Sequence, residues 1–565
     1  MIMIKLKRSI ATFCLLALVL FIQNTVFAQD EMMDILREEL KYDMEELSKT
    51  EYPPYYMNFR VIETNSANVR ASFGSIVSSN TDKIRTFIPQ IRIGDYNFDN
   101  FHGMVNGVAT SFFGGPEVVN IPLDNNKVAL KQAIWNEVSK RYSFAIDQYA
   151  KLKADNKVSN KSDDKAPDFS KAKAETYYEA PLKAEDMSFD IKKYEDKMMK
   201  LSSLFTPYKE IIDCYANISF STIRKYFVSS EGTTIAQNSR NCRIYIYGMV
   251  KTDEGMELPL SSSYYAYSPD GLPSDEVIEK DIKNMINTLL KMRVANTVEP
   301  YTGPAMLSGE ASGVFFHEIF GHRVEGQRMK RDSDSQVFKR KIGQSVLPKH
   351  FSAIDDPTVN ELGGADLNGY YVFDDQGVRG KKVDVVKDGV LTGFLMTRVP
   401  TDEFGESNGH ARASDAYDPV SRQSNLIISS SKNMSEEQLR KQLLKEAKKQ
   451  KLDYAYYFKE VNGGYTQTGR NSPNSFNVTP LETYKIFVDG RPDELVRGVD
   501  LIGTPLSMFS NIVEAGGKTE IFTGTCGAES GWVPVTACSP SIMVKKVELQ
   551  RKGKSSSSLP ILPRP

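Results

Sequence analysis

The sequence predicts an α+β protein of two domains: an N-terminal mixed α/β domain and a C-terminal, largely antiparallel β domain that carries one functional helix. Three observations predict it. Tyr55–Gly94 and Cys214–Tyr267 alternate apolar and polar residues in short runs, the period of half-buried strands. Other segments repeat apolar residues every three or four positions, the period of a helix packed on one face. After Pro300 glycine becomes frequent and strand-like runs dominate. A chain of 565 residues has room for two or more domains at ~100–200 residues each.

Residues 1–28 have the build of a secretory signal peptide. Lys5, Lys7 and Arg8 precede an apolar run, Ile10–Ile22, and Val26-Phe27-Ala28 offers small residues before a cut after Ala28. The run is short of the ~20 residues that span a bilayer, so no stable membrane insertion is expected after cleavage; an uncleaved anchor is the alternative. The mature protein is therefore expected to be secreted or periplasmic.

Residues 29–299 form the expected N-terminal domain. Asp30–Lys49 reads as a helix with Met33, Leu36, Leu40, Met44 and Leu47 on one face, and strands fill Tyr55–Gly94. A second helix near Lys127–Lys153 lines up Leu130, Ile134, Val138 and Tyr142. Residues 154–185 are polar and Lys/Asp-rich, which reads as a solvated insertion or linker. Strands return at Cys214–Tyr267, and a helix covers Asp275–Ala295.

Residues 300–550 form the expected C-terminal domain, and 551–565 a flexible tail. Helices are expected at Ser308–Gln327 and Ser435–Gln450, the second opened by a capping box from Ser435 to Gln438. Lys387-Asp388-Gly389 and Val488-Asp489-Gly490 are hairpin-turn signals.

Charge excludes one large class. With 71 basic residues against 72 acidic ones, the chain lacks the excess of Lys and Arg that phosphate neutralisation needs, so no nucleic-acid partner is expected. No phosphate-cradling glycine loop and no Gly-x-Ser-x-Gly nucleophile turn is present. A Cys214–Cys242 disulfide is possible in an oxidising compartment, since both cysteines lie in one strand-rich stretch.

The most informative segment is Phe316-His317-Glu318-Ile319-Phe320-Gly321-His322-Arg323-Val324-Glu325-Gly326. It holds two of only five histidines, with a glutamate directly after the first. Zinc hydrolases need neutral imidazoles to hold the metal, a carboxylate to accept a proton and an open coordination position. Five residues on a regular helix turn about 500°, which would point the histidines ~140° apart. Both reach one ion only if the helix widens into a π-type turn or breaks near Gly321. The flanking residues are apolar, and a buried polar triplet needs a partner.

This segment resembles the metal motif of the TldD/PmbA family of metallopeptidases. Further blocks are similar to that family: Asp374-Asp375-Gln376-Gly377-Val378, Asp388-Gly389-Val390-Leu391-Thr392-Gly393-Phe394, Ser407-Asn408-Gly409-His410-Ala411-Arg412 and Arg422-Gln423-Ser424-Asn425-Leu426. Gly524-Thr525-Cys526-Gly527 with Val533-Pro534-Val535 resembles the family's cysteine block. The likeness covers about Gly303–Val547 well and the N-terminal half in outline. Arg323 stands where the family commonly has glycine, and Gln327 where it commonly has aspartate.

The resemblance implies that His317, His322 and Cys526 hold Zn2+ and that Glu318 is the catalytic carboxylate. Zinc's preference for nitrogen and sulfur donors agrees, and three protein ligands leave a position for water. Cys538 is the rival third ligand, or a buried structural thiol. Glu325 is either the acceptor that orients His322 or a surface glutamate. His410 is a candidate oxyanion donor, while His102 and His350 have no supporting context.

The resulting expectation is a zinc-dependent peptidase acting on peptides or unfolded polypeptide segments. Family members pair, so a homodimer or a heterodimer with a related subunit is expected. The alternative is a non-hydrolytic zinc-containing subunit that binds peptides or a partner. A factor acting on nucleic-acid enzymes is a third reading, opposed by the neutral charge and the leader.

Overall fold

The computed structural model describes residues 30–103, 118–156, 165–330, 334, 336–414, 416–469 and 476–552. The segment read as a signal peptide and residues 553–565 of the expected tail lie outside the described residues. It is a mixed α/β architecture with more strand than helix, built on two large sheets.

Helix α1 (Glu31–Leu47) begins at Asp30, whose carboxylate accepts a hydrogen bond from Met33 N at 3.2 Å and satisfies one of the unpaired donors of the first turn. The long hairpin β1 (Pro54–Ser72) and β2 (Ser75–Ile93) follows, then α2 (Lys127–Asn156), α3 (Ile191–Ser203), β3 (Ile211–Ser229), β4 (Thr234–Lys251), β5 (Glu257–Ala266) and α4 (Asp275–Val294). The strands run β2-β1-β3-β4, antiparallel throughout, with β5 and a short parallel strand, Thr176–Tyr178, both on the far edge of β4.

The two-residue period sorts this sheet into two faces. Met57, Phe59 and Val61 pack with α1 and α2, while Ala216, Ile218, Ile244 and Ile246 pack with α3 and α4. The opposite face is polar, and it meets the C-terminal half of the chain. Arg60 Nη2 donates to Tyr417 O at 2.6 Å, and Lys225 Nζ lies 2.8 Å from Asp375 Oδ1.

Parts of residues 154–185 join the fold, while most of the described positions there are exposed or half-buried. Helix α2 runs on to Asn156, and Thr176–Tyr178 joins the sheet. Phe169 is buried, with the Arg92 and Arg398 guanidinium carbons 3.8 and 4.1 Å from its ring centroid. One aromatic ring between two cations anchors a stretch whose average composition is polar. Residues 157–164 lie outside the described residues.

The second sheet is built from β6 (Tyr301–Leu307), β7 (Phe351–Asp355), β8 (Asn425–Ser430), β9 (Tyr454–Thr466), β10 (Phe476–Phe487), β11 (Ile512–Ala528) and β12 (Gly531–Arg551), with shorter strands at its rim. Its central order is β7-β8-β12-β6-β9-β10, with β11 hairpinned onto β12. Pairing is mostly antiparallel; β8 with β12 and β6 with β9 are parallel.

Helices α5 (Gly309–Ile319) and α6 (Glu436–Lys449) sit on opposite faces of this sheet. Alternation in β6 shows it: Ala305 and Leu307 share a core with Phe315 and Phe316, whereas Met306 packs with Leu439 and Leu443. Each such leucine contributes about 1.5–3 kcal/mol by leaving water. Ser435 and Gln438 form the expected capping box at the start of α6.

No disulfide joins Cys214 and Cys242. Cys214 pairs with Gly248 and Cys242 with Phe220, which places them six residues apart along the ladder, roughly 20 Å. Both are buried among apolar side chains. Among the described residues no helix is long and apolar enough to cross a membrane.

Candidate metal centre

The helix expected over Ser308–Gln327 is interrupted. Ser308 caps α5 by accepting from Ala311 N, and the helix stops at Phe320, where φ is −123° and ψ −55°. A 3-10 turn, Gly321–Arg323, and a short helix, Gln327–Lys330, complete the segment. Of the two routes open to the histidine spacing, the chain takes the break. Gly321 is required there, because a Cβ would overlap the amide of Gln423, itself buried.

The break folds His322 back beside His317, with ring centroids 4.9 Å apart. Cys526 arrives from β11, and its Sγ lies 3.3 Å from Nε2 of both histidines. The three donor atoms all lie within 4.8 Å of one another, and all three residues are buried.

The surrounding groups prepare these donors for a cation. Glu325, fully buried, places a carboxylate oxygen 3.2 Å from His322 Nδ1. Accepting the Nδ1 proton directs the Nε2 lone pair at the cysteine. Arg328 Nη2 lies 2.8 Å and Arg422 Nε 3.7 Å from the same carboxylate, which keeps it charged. Burial raises the Cys526 thiol, but His322, His317 and Arg422 outweigh it and hold the thiol well below its usual range. Two imidazole nitrogens and a thiolate make a donor set that fits a borderline-soft divalent ion such as zinc.

Glu318 lies beside this group and is 6% exposed. Burial raises its carboxyl above the ordinary value, with His317 and His322 acting in the opposite direction. Its side chain fits against Gly464 of β9, where a Cβ would come within 2.7 Å of Glu318 Cγ. Arg323 Nη1 donates to Glu318 O at 2.6 Å, so the arginine found in place of the common glycine ties off the end of α5. Gln327 Nε2 donates to Glu529 Oε1 at 3.3 Å.

His317, Glu318, His322 and Cys526 open into one cavity of about 1290 Å³. Its walls come from both halves of the chain: Asn241 and Arg243 from the polar face of the first sheet, Glu310 from α5 and Glu460 from β9. The alternation legible in β4 thus becomes the roof of a cavity.

Other sequence candidates fall elsewhere. Cys538 is fully buried, paired with Ile521 and apart from the donor group, and burial pushes its thiol up to about 12. His410 is not in the cavity; its Nε2 sits 3.2 Å from Asp355 Oδ1 and its Nδ1 3.0 Å from Asn408 Oδ1, a structural role. His102 Nδ1 lies 2.9 Å from Asp168. Of the alternatives for Glu325, burial beside His322 selects the orienting one.

Arg422 was missed as a functional residue. Its Nη2 donates to Cys526 O at 2.5 Å and its Nη1 to Ser530 Oγ and Gly531 O, so it sets the backbone that presents the thiol. The signal lay in the block Arg422-Gln423-Ser424, where three polar residues are all buried. Sequence spacing cannot separate such an arginine from one in water.

The chain is similar to several known proteins. Residues 300–551 match the family model for the PmbA/TldA metallopeptidase C-terminal domain. A metalloprotease of Archaeoglobus fulgidus is 31% identical over 255 residues, which is 45% of this chain and 55% of that protein. The zinc metalloprotease TldD homolog of Saccharolobus solfataricus is 25% identical over 329 residues, covering 58% and 68% of the two chains. The chain thus spans about half the length of the first relative. The crystal structure of TldE from Thermococcus kodakarensis superposes with a TM-score of 0.59 over 92% of this chain and 100% of that one, at 12% identity, a likeness of fold.

The matched domain is that of a metallopeptidase family. More particularly, residues 300–551 match the C-terminal domain of the TldD/PmbA family.

Proposed function

We propose that this protein is a metal-dependent peptidase, with zinc held by His317, His322 and Cys526. The observation that carries the reading is the convergence of three buried donors, two from α5 and its broken end and one from β11, beside a buried glutamate in a large cavity. The likeness to the zinc metalloprotease TldD homolog of Saccharolobus solfataricus supports the choice of zinc.

Bound there, the ion would supply Lewis acidity to a water molecule and to the scissile carbonyl. Glu325 holds the His322 ring in the tautomer that coordinates through Nε2. Arg422 fixes the Cys526 backbone. Glu318 accepts a proton from the attacking water on its carboxylate and returns it to the leaving amine. Its burial supports this role, because a carboxyl raised above its ordinary value is a better base than one in water.

Substrates are peptides or unfolded segments that enter the cavity between the two sheets. A non-hydrolytic peptide-binding subunit is the second reading; the three-donor group among the described residues favours the enzyme, since a closed structural site takes four. Pairing with a second copy or a related subunit, and action outside the cytoplasm, belong to the same proposal.

The test is metal analysis with a peptide-pool digestion. Purified protein carries stoichiometric zinc and cuts the pool, chelation stops cleavage, and His317→Ala loses both. Cleavage that survives chelation and His317→Ala contradicts the reading.

A further inference from the structure

The cavity over the metal centre is lined by one cation that has no ion-pair partner among the described residues. Three Lys or Arg side chains line it. Arg328 is 2.8 Å from Glu325 and 3.2 Å from Glu529, and Lys459 Nζ is 2.9 Å from Glu482. Arg243, on the polar face of β4, has no carboxylate within 4.0 Å among the described residues. Its Nη1 donates to Ser263 Oγ at 2.6 Å and to Thr523 O at 3.0 Å, and the Tyr265 ring centroid lies 5.3 Å from its guanidinium carbon. Its Nη2 is buried and bonded to nothing among the described residues.

A partly dry guanidinium with neutral neighbours is an incomplete arrangement. Burial lowers its proton affinity, with no anion to restore it. The fork of an arginine matches a carboxylate with two parallel N–H bonds, and such pairs strengthen where water is excluded. A guanidinium with an unused donor at the cavity wall has the means to take a carboxylate.

We propose that Arg243 is a specificity-determining residue that grips a carboxylate of the substrate. This rests on the peptidase reading above and adds a substrate class to it: peptides presenting a free C-terminal carboxylate or an acidic side chain a fixed distance from the bond cut. Arg243 touches Thr523, three residues before Cys526 on β11, which is about 10 Å along a strand. An extended peptide covers ~3.3–3.6 Å per residue, so the carboxylate lies roughly two or three residues from the scissile bond.

The experiment compares two pairs of randomised hexapeptide pools. One pair ends in a carboxylate or a carboxamide; the other is amide-capped and carries Glu or Gln at a single position. The wild type is expected to favour the acid member of at least one pair by roughly tenfold or more, chiefly through KM. The first pair reads a terminal carboxylate, the second a side-chain one. Arg243→Met brings the acid-to-neutral ratio to about one, and Arg243→Lys restores part of it; a merely structural loss lowers both members and keeps the ratio.

Binding gives a readout independent of turnover. Calorimetric titration of Glu318→Gln protein with the same pools shows the same acid preference, absent when Arg243→Met is added. If the wild type cuts neither pool, the peptidase reading fails, and this titration alone decides the carboxylate site. No acid preference in binding, or a preference that survives Arg243→Met, overturns the proposal.

Discussion

The carboxylate of Glu325 stands 3.2 Å from Nδ1 of His322, and both groups are buried. It ties a ring that faces the cysteine to two arginines, Arg328 and Arg422, one of which also holds the cysteine's own backbone. Glu325→Gln keeps the shape and removes the charge. Metal affinity is expected to fall about 10–100-fold with the fold intact, read by competition with a chromogenic chelator. Unchanged affinity would show that the ring is oriented by other groups.

Gly464 tests the positioning of Glu318. A methyl at this position would come within 2.7 Å of both Glu318 Cγ and Asn477 O, so the glutamate must move. Gly464→Ala is expected to retain its metal and lose roughly 10²-fold or more in kcat. Equal kcat in variant and wild type would mean that Glu318 tolerates displacement.

Asp43 tests the electrostatics of the first domain. It is buried on α1, with Oδ2 bonded to nothing among the described residues, and burial with nearby Glu39 pushes its carboxyl from 3.8 up to about 7. The folded chain therefore keeps a proton that the unfolded chain releases near pH 4. Between about pH 4 and 7 the folded state binds more protons, so stability falls as pH rises through that window and stays lower above it. Asp43→Asn is expected to stabilise the protein at pH 8 by about 1–2 kcal/mol, discounted for partial solvation, and to add little at pH 4.5. Urea midpoints at the two pH values check it; an equal gain at both would contradict the assignment.

Much of this was legible in the residues. The two strand-rich stretches, α1, α2, α4 and α6 all follow from apolar period and capping chemistry. The spacing of His317 and His322 forced a choice between two local geometries, and Gly321 marked where a break would fall. What was not legible depends on contacts distant in sequence. Helix α3 has the Asp190 cap and Tyr194, Met198 and Leu201 at helical spacing, but its strongly charged composition masked that short stripe. Phe169 gave no sign that two arginines from elsewhere would enclose it. Arg243 reads as an ordinary outward residue of a half-buried strand, because alternation distinguishes faces and not what covers them.

In the proposed mechanism Glu318 transfers the proton beside a metal held by His317, His322 and Cys526. Its most direct test measures metal content and peptide-pool cleavage of Glu318→Gln and wild type side by side. Equal metal content is expected, with cleavage by the variant reduced about 10²–10⁴-fold. Wild-type cleavage by the fully metallated variant would contradict it.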